Sequence, residues 1–426
     1  MENRQHGPTR VALAGATFNL LNTILGGGGG IVPLPRCIRL TGLRLAPVLL
    51  LFCAALSAYN ACAIVAASCA VRESTYQGVA MRTLGVWGAL TVQVLVVSLT
   101  FGISVAVIDI FADIAPSMLN LSRTTTVMLA GCAVMPIVTL IRRIERLSII
   151  SVAASLLVAA FVVFVCLCAK AADNPRPTPE PSPTNLLEAI SIVNLSFLCH
   201  FNLLPLFQSL PGAPAPHVRT SMYQVIVIAT LLALAVYGIV GILGFVAFGE
   251  HTSGNAFADY AANGGYWGRV LNYSIATAQL LSLPLLVHEG VRELVGLLGM
   301  RGQLNLSEHH GLLSPQALAR VDSDGNLVHL AGGGSAQESA RGERLCGMAW
   351  CVSATCIALY AADTSKVLAL VAALCGAPLM SVLPVLMLLR SGHDLGPRGV
   401  ALNVALLVLG VAVSGASAMV AVRAIW

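Results

Sequence analysis

Residues 11–35, VALAGATFNLLNTILGGGGGIVPLP, contain five consecutive glycines, Gly26 to Gly30, followed by Pro33 and Pro35. The stretch has no Asp, Glu, Lys or Arg, and it is long enough to cross a bilayer, since a spanning helix needs roughly 17 to 25 residues. Glycine and proline both disfavour helix, so this spanning helix is predicted to be interrupted. Because lipid cannot satisfy freed backbone N–H and C=O groups, an interruption at this depth is stable only inside the protein or along a cavity. The glycine run therefore predicts a binding site within a membrane protein.

The composition of the chain is that of an integral membrane protein. Of its 426 residues, 57% are hydrophobic and only 10% are charged, and the mean hydropathy is +0.83. A soluble domain carries about 25% charged residues. The charged residues fall outside eleven apolar stretches, numbered here as spans 1 to 11: residues 11–35, 45–71, 83–108, 124–141, 147–169, 189–216, 220–249, 270–287, 345–362, 367–389 and 399–422. We predict an all-α integral membrane protein with eleven transmembrane helices and no soluble catalytic domain.

Span 6 contains a second interruption. Its sequence from residue 192 to residue 205, IVNLSFLCHFNLLP, places four polar side chains and a proline within an apolar run. Spans 1 and 6 are therefore both predicted to be broken, and they lie five spans apart. Broken helices at matching positions of two halves are the sequence signature of an inverted-repeat transporter whose site lies at the bilayer midplane.

The two breaks also predict how the chain is organised. Residues 1–10 form a short cytoplasmic N-terminus, and residues 11–422 form the transmembrane domain. Within this domain, the first repeat covers about residues 11–169 and the second about residues 188–389, while residues 399–422 add one further helix.

Positive charges set the predicted orientation. Most of the 24 Lys and Arg residues fall in connections that are cytoplasmic if the N-terminus is cytoplasmic, as is usual in membrane proteins. The polar segment 299–342 is then a flexible cytoplasmic insert between spans 8 and 9, either a plain linker or a regulatory element. Asp109 and Asp113 close span 3 at the outer face, and we interpret them as a solvated helix end rather than a gate.

The chemistry of the predicted breaks suits an amino acid. An α-carboxylate needs several N–H donors, which a glycine-rich break and the positive end of the following half-helix offer. The ammonium group needs acceptors, and carbonyls freed at the two breaks supply them without an acidic side chain. We expect an amino acid and the lipid bilayer as partners, and no nucleic acid.

Several segments of the chain resemble those of a known family. The motifs FNLLNTILG at residues 18–26 and GGGIVPLP at residues 28–35 look like the first-helix motif of the amino acid/auxin permease family, which includes animal neutral amino acid transporters and fungal vacuolar exporters. Three further segments fit the resemblance: MPIVTLIRRIERLS at 135–148, FLCH at 197–200 with Leu204-Pro205, and LSLP at 281–284. The resemblance implies a fold like that of the leucine transporter, with five plus five helices and one extra. It also implies secondary transport of amino acids, often coupled to sodium or protons.

Site residues follow from the motifs and the resemblance. Asn22 and the glycine run match substrate-site and ion-site positions, and Ser282 matches a hydroxyl position that helps hold sodium in sodium-coupled members. The glycine run is two residues longer than the family pattern. The candidate substrate-binding residues are Asn22, Gly26, Gly27, Gly28, Gly29, Gly30, Phe197, Cys199 and His200. The candidate ion-binding residues are Asn22, Thr277 and Ser282.

The coupling ion stays open between sodium and the proton. Thr277 and Ser282 either coordinate sodium together with first-helix carbonyls or bond to their own helix. His200, the ionisable group inside span 6, either carries a proton or is a neutral histidine that shapes the break. No Asp or Glu lies within a predicted span, which argues against a proton relay through carboxylates.

Together these observations predict a secondary active transporter that moves amino acids by alternating access. We expect no covalent chemistry and thus no enzyme, no cofactor besides a coupling ion, and no metal beyond possible sodium. The alternative is an amino acid sensor, a transporter fold that binds without significant flux. The plasma membrane and a vacuolar or lysosomal membrane are both open locations, and the sequence leaves the oligomeric state undetermined.

Overall fold

A computed structural model describes residues 8–26, 30–136, 144–169, 182–213, 216–310, 320–321, 327–328, 336–360 and 364–423. This part of the chain is almost entirely helical. The helices are α1 (Arg10–Gly26), α2 (Leu34–Val71), α3 (Tyr76–Ile114), α4 (Pro116–Leu119), α5 (Arg123–Met128), α6 (Ile144–Ala169), α7 (Pro183–Ser196), α8 (His200–Gln208), α9 (Pro216–Phe248), α10 (Ala256–Asn263), α11 (Gly265–His310), α12 (Ala336–Tyr360), α13 (Thr364–Val371), α14 (Leu383–Arg390) and α15 (Gly396–Arg423). Two short strands, β1 (Arg320–Val321) and β2 (Leu327–Val328), pair antiparallel.

Several of these helices are joined by non-α turns. One 3₁₀ turn, Gly249–His251, follows α9. Three π-helical segments occur, one after α5 at Leu129–Val134 and two between α13 and α14 at Ala372–Gly376 and Pro378–Val382. π-helical turns inside longer helices are frequent at functional sites.

Seven helices among the described residues are long and apolar enough to cross a membrane. They are Leu34–Val71, Tyr76–Ile114, Pro183–Gln208, His217–His251, Gly265–Leu298, Lys366–Arg390 and Gly396–Arg423. Of the other predicted spans, 1, 5 and 9 lie mainly on α1, α6 and α12. Span 4 covers most of α5 and the π-helical segment Leu129–Val134, and its last residues lie outside the described residues. The described part of α1 has 17 residues and ends at Gly26.

Two glycines divide long helices at sharp kinks. Gly42 (φ 77°, ψ 160°) lies within α2, and Gly85 (φ 74°, ψ −166°) lies within α3. Positive φ is a region that glycine adopts without the steric cost of a Cβ atom. The kink at Gly42 separates the second half of span 1 from span 2. The kink at Gly85 separates a short segment, residues 76–84, from span 3, and we call this segment the connecting helix.

The helix of span 8 is longer than the sequence predicted. The charge-free stretch covers residues 270–287, but α11 runs from Gly265 to His310 and includes Glu289 and Glu293. The candidate membrane span on this helix itself reaches Leu298. The expectation that no Asp or Glu lies within a span concerned residues 270–287 and stays a prediction, since Glu289 and Glu293 lie on the same helix beyond that stretch. Residues 299–310 of the predicted insert also belong to this helix, and the flexibility of the insert stays a prediction.

The spans pack into one apolar core in which α11 lies along α3 and α9 lies along α2. Trp350 of α12 joins this packing, since its Nε1–H donates to Ser104 Oγ at 3.2 Å. Its ring also meets Phe101 edge-on, with 5.1 Å between the ring centroids. These contacts tie α12 to the span-3 part of α3, so the broken helices face a rigid set of neighbours.

Candidate functional site

Both predicted helix breaks are present. The first helix stops at Gly26 and helical structure resumes at Leu34, with Pro33 at the N-cap position and Pro35 in the first turn. Proline is tolerated there because the first N–H groups of a helix have no intrahelical partner. Gly27, Gly28 and Gly29 were predicted site residues and lie outside the described residues. The adjoining Ile31 and Val32 are fully buried.

The second break lies between Ser196, the last residue of α7, and His200, the first residue of α8. Phe197 (φ −90°, ψ 7°) and Cys199 (φ −134°, ψ 2°) leave helical geometry. Both side chains are buried, and their predicted role in substrate binding stays a prediction. The Ser57 hydroxyl of α2 donates to the freed Phe197 carbonyl at 2.9 Å, which fixes the break against span 2.

The two breaks contact each other directly. The Ser196 hydroxyl donates to the Gly30 carbonyl at 2.7 Å and also lies 2.9 Å from the Ile192 carbonyl of its own helix. A Cβ atom at Gly30 would lie 2.7 Å from Ser196 Cα, closer than real Cβ contacts occur. Glycine is therefore required at residue 30 for the two backbones to approach.

Tyr237 of α9 joins the same two chain ends from a third helix. Its hydroxyl lies 2.7 Å from the Ile24 carbonyl and 2.7 Å from the Ser196 carbonyl. Carbonyls in the last turn of a helix have no intrahelical partner, and one hydroxyl hydrogen can serve either of them. The ring packs edge-on against Phe197, with 5.1 Å between centroids. Sequence reasoning missed Tyr237, although a tyrosine inside the apolar span 7 was a usable signal.

Buried polar groups without partners surround the second break. His200 is fully buried near the main chain of Ser57, and neither ring nitrogen makes a hydrogen bond with a described residue. The same holds for Asn194 Oδ1 and for both amide atoms of Asn60. Such groups cost about 1–3 kcal/mol each when unsatisfied, so native proteins contain few of them. Their position at and near the break is what a site for a polar ligand requires.

Asn60 was not predicted from the sequence. It lies on α2 one helical turn after Ser57, in the middle of the apolar span 2. Its position alone was a signal, because polar residues inside spans are rare and face protein or cavity rather than lipid.

The remaining predicted residues do not all meet at the breaks. Asn22 lies on α1 one turn before Gly26 and is half-buried. The Thr277 hydroxyl donates to the Tyr273 carbonyl of its own helix at 2.8 Å. Ser282 lies on α11, but its side chain is outside the described part of the chain. The sodium site of Asn22, Thr277 and Ser282 stays a prediction.

Charged groups cluster at the end of span 3, on the side that the predicted orientation places outside. Arg123, at the start of α5, pairs with Asp109, and its Nε lies 3.3 Å from Asp113 Oδ1. Asp109 is fully buried, so the interpretation as a solvated helix end is wrong for this residue, whereas Asp113 is exposed. The sequence signal that was missed is Arg123. It follows the end of span 3 closely enough to pair with Asp109 and Asp113.

Asp109, Asp113 and Arg123, which we call the outer network, are linked by further hydrogen bonds to the first break. Asn255 Nδ2 donates to Asp113 Oδ2 at 3.1 Å, and Ala256 N–H donates to the Val32 carbonyl at 3.1 Å. Nearby, Arg36 at the start of α2 pairs with Glu188 of α7 at 3.0 Å. These contacts hold the outer halves of the broken helices together.

The first half of span 1, α1, is buried on one face and exposed on another. On α1, Ala16, Leu20 and Ile24 are buried, whereas Val11 is 82% and Phe18 is 46% exposed. A groove of about 410 Å³ opens between α1 and α9 and is lined by Leu13, Ala14, Thr17, Phe18, Leu21, Ser221, Gln224, Val225, Ile228 and Leu232. The inner half-helix therefore has one packed face and one incompletely covered face.

Comparisons with known proteins agree with this geometry. Residues 12–422 match the family model described as transmembrane amino acid transporter protein. Amino acid transporter AVT6E of Arabidopsis thaliana is 26% identical over 325 residues, which cover 69% of this chain and 65% of that protein. Vacuolar amino acid transporter 5 of Schizosaccharomyces pombe is 27% identical over 305 residues, 66% of this chain and 70% of that protein. The chain thus spans about two thirds of the length of these relatives.

Structural similarity concerns the fold. The inward-facing conformation of Mhp1 superposes with a TM-score of 0.55 at 13% identity, covering 99% of this chain and 92% of that protein. This confirms the predicted fold of the leucine-transporter type. The family prediction is confirmed as well, and the match to transporters agrees with the expectation that the chain is no enzyme. The two broken helices and the match over residues 12–422 together show that this multi-pass membrane protein belongs to the transmembrane amino acid transporter protein family.

Proposed function

We propose that this protein is a secondary active transporter that carries amino acids across a membrane by alternating access. The observation that carries the proposal is the meeting of the two breaks, where the Ser196 hydroxyl binds the Gly30 carbonyl and Tyr237 bridges both helix ends. Unwound backbone held in this way presents N–H and C=O groups toward a common point at membrane depth.

The substrate is a zwitterion. Its carboxylate is bound by N–H groups of the breaks and by half-helix N-termini, which carry positive partial charge. Its ammonium group is bound by freed carbonyls. The His200 ring nitrogens and Asn194 Oδ1, which have no hydrogen-bond partner among the described residues, supply further polar contacts. The relatives named above are described as amino acid transporters, which supports the same substrate class here.

Alternating access needs one part of the site to move while another stays fixed. The outer halves of spans 1 and 6 are tied by Arg36 and Glu188, whereas α1 borders the open groove along α9. We infer that α1 swings away from α9 to open the site toward the cytoplasm, with the fulcrum at the Ile24–Tyr237 contact. Transport is coupled to an ion, sodium or the proton, and the protein resides in a vacuolar or lysosomal membrane or in the plasma membrane.

Counterflow in proteoliposomes tests the proposal. The full chain is reconstituted, loaded with one unlabelled amino acid at a time, and exposed to the same labelled amino acid at varied sodium and pH. We expect labelled amino acid to accumulate transiently in loaded vesicles and not in vesicles without protein. Dependence on sodium or on pH then identifies the coupling ion.

A sensor gives a different pattern. It binds amino acids, detected as a rise in the thermal unfolding temperature of the purified chain, without any counterflow. Binding without flux for the whole amino acid panel would contradict transport and favour the sensor.

A further inference from the structure

A carboxyl group outside the two breaks is held by neutral partners. Glu293 lies on α11, and its Oε1 accepts a hydrogen bond from Gln77 Nε2 at 2.6 Å. The side chain of Gln93 also hydrogen-bonds to it. Gln77 belongs to the connecting helix and Gln93 to the span-3 part of α3, so Glu293 joins three segments of the fold.

No cation fixes the charge of this carboxyl in the way Arg123 fixes that of Asp109. Among the described side chains, the charged groups that act on Glu293 are Glu289, one turn earlier, and the neighbouring Arg292. Glu289 repels a negative charge on Glu293 and Arg292 attracts it, and the connecting helix and α3 contribute neutral amides. Partial burial also disfavours the charged form.

Gln93 can also form a hydrogen bond with the protonated form of Glu293. It is 3% exposed, and its Oε1 has no hydrogen-bond partner among the described residues, while its amide nitrogen faces Glu293. A glutamine amide has both donors and an acceptor. After rotation of the amide, the free Oε1 accepts the O–H of a protonated Glu293. A change in the protonation state of Glu293 thus explains why the buried Gln93 Oε1 has no partner among the described residues.

Glu293 lies at the membrane boundary opposite the outer network. Tyr266 and Trp267, near the start of α11, are 63% and 73% exposed, as is common for aromatic residues at a membrane interface. Glu293 follows them by about 40 Å along the helix, more than the roughly 30 Å hydrocarbon thickness. Protons from the aqueous phase on that side, the cytoplasm in the predicted orientation, therefore reach it.

We propose that Glu293 is a proton-binding site through which the pH on the cytoplasmic side regulates transport. The carboxylate takes a proton from water on that side and releases it to the same side, so no proton crosses the membrane through it. Its charge-assisted bond to Gln77 is replaced by a weaker neutral contact, because charge-assisted hydrogen bonds are roughly twice as strong. Protonation thereby loosens the connecting helix from α11.

The packing of α11 connects the protonation of Glu293 to the core of the protein. Gly290, one turn from Glu293 on the same helical face, packs against Thr100 of α3 and Trp350 of α12, where a Cβ would lie 2.5 and 2.6 Å from their side chains. Such tight packing transmits a shift of α11 to α3 and α12 rather than absorbing it.

The inference rests on the proposed transport function, and the experiment separates the two. Glu293→Gln is permanently neutral and cannot release a proton. With equal pH on both sides, wild-type counterflow should change about tenfold between about pH 8 and pH 5, within the usual range of coupling between sites. Counterflow by Glu293→Gln should vary by less than about twofold over the same range, because the side chain can no longer bind or release a proton. Glu250→Gln, at an exposed carboxyl between spans 7 and 8, is the control and should keep the wild-type pH response.

A direct measurement does not depend on transport. Infrared difference spectra of the reconstituted protein, recorded on acidification between about pH 8 and pH 5, should show a carbonyl band of a protonated carboxyl that Glu293→Gln loses. If wild type shows no counterflow with any amino acid, transport itself fails, and the infrared band still decides whether Glu293 binds a proton.

A second variant tests whether the effect of Glu293→Gln is only structural. Gln77→Leu removes the donor that stabilises the carboxylate, so the pH of half-maximal uptake should move to a higher value. A wild-type pH response of counterflow in Glu293→Gln, or an infrared band that the substitution does not alter, would overturn the proposal.

Discussion

Ser196 and Gly30 are 166 residues apart in sequence, yet the hydroxyl of the first donates to the carbonyl of the second at 2.7 Å. This bond joins the two interrupted helices at the depth where each leaves helical geometry. It also explains why the residue at position 30 has no side chain, because a Cβ there would meet Ser196 Cα at 2.7 Å. The close approach of the two backbones therefore depends on the absence of a side chain at residue 30.

Gly30→Ala should disrupt this contact. Overpacking of a close backbone approach typically costs about 1–3 kcal/mol, so we expect a lower unfolding temperature and a large loss of counterflow. Gly15→Ala on α1 is the matched control, since a Cβ there meets nothing within 4 Å. Wild-type stability and flux in Gly30→Ala would show that the two breaks do not need to touch.

Tyr237→Phe keeps the ring against Phe197 but removes the hydroxyl that lies between two carbonyls. Leaving a buried acceptor unsatisfied costs about 1–3 kcal/mol. Thermal unfolding should report this loss, and counterflow should slow because the ends of α1 and α7 are no longer bridged. Tyr266→Phe, at an exposed tyrosine, should behave as wild type in both assays. Equal stability of the two variants would contradict the bridging role.

His200→Leu separates a ligand contact from a structural one. The His200 ring makes no hydrogen bond with a described residue, so replacing it by an apolar side chain should leave the unfolding temperature unchanged or raise it. Substrate affinity should fall about tenfold, equivalent to about 1.4 kcal/mol, as measured by substrate-dependent thermal shift. A loss of stability with unchanged affinity would assign His200 a packing role instead.

Asp259 provides a prediction about pH. Burial raises the pKa of this carboxyl on α10, and the hydrogen bonds from Ser253 and the nearby Arg39 only partly offset the effect. A raised pKa in the folded state means that this group favours folding below its unfolded pKa and that the benefit is lost as pH rises. Asp259→Asn cannot ionise, so its unfolding temperature should match wild type in acid and exceed it increasingly toward neutral pH. A constant difference across this range would exclude ionisation as the cause.

Local sequence was sufficient for the class of protein and for its two breaks. The absence of charge over long stretches predicts helices in lipid, and glycine and proline in span 1 or polar residues in span 6 predict where those helices stop. These properties depend on the preferences of neighbouring residues and on the cost of charge in hydrocarbon. The predicted ends of spans were less accurate. A charge-free window stopped at residue 287, whereas α11 continues through Glu293, because helix ends depend on backbone bonding and packing.

What the sequence determined alone is a bundle of membrane helices, two of them predicted to be interrupted, one at the glycine run and one within residues 192–205. Only the tertiary structure decided which distant groups meet at those breaks: the Tyr237 hydroxyl, the Ser57 hydroxyl and, away from them, the amides that hold Glu293. The physical reason is the distance along the chain over which the interactions act. A helix break is encoded within a few residues, but a hydrogen bond of under 3 Å between helices is set by how the spans pack in three dimensions.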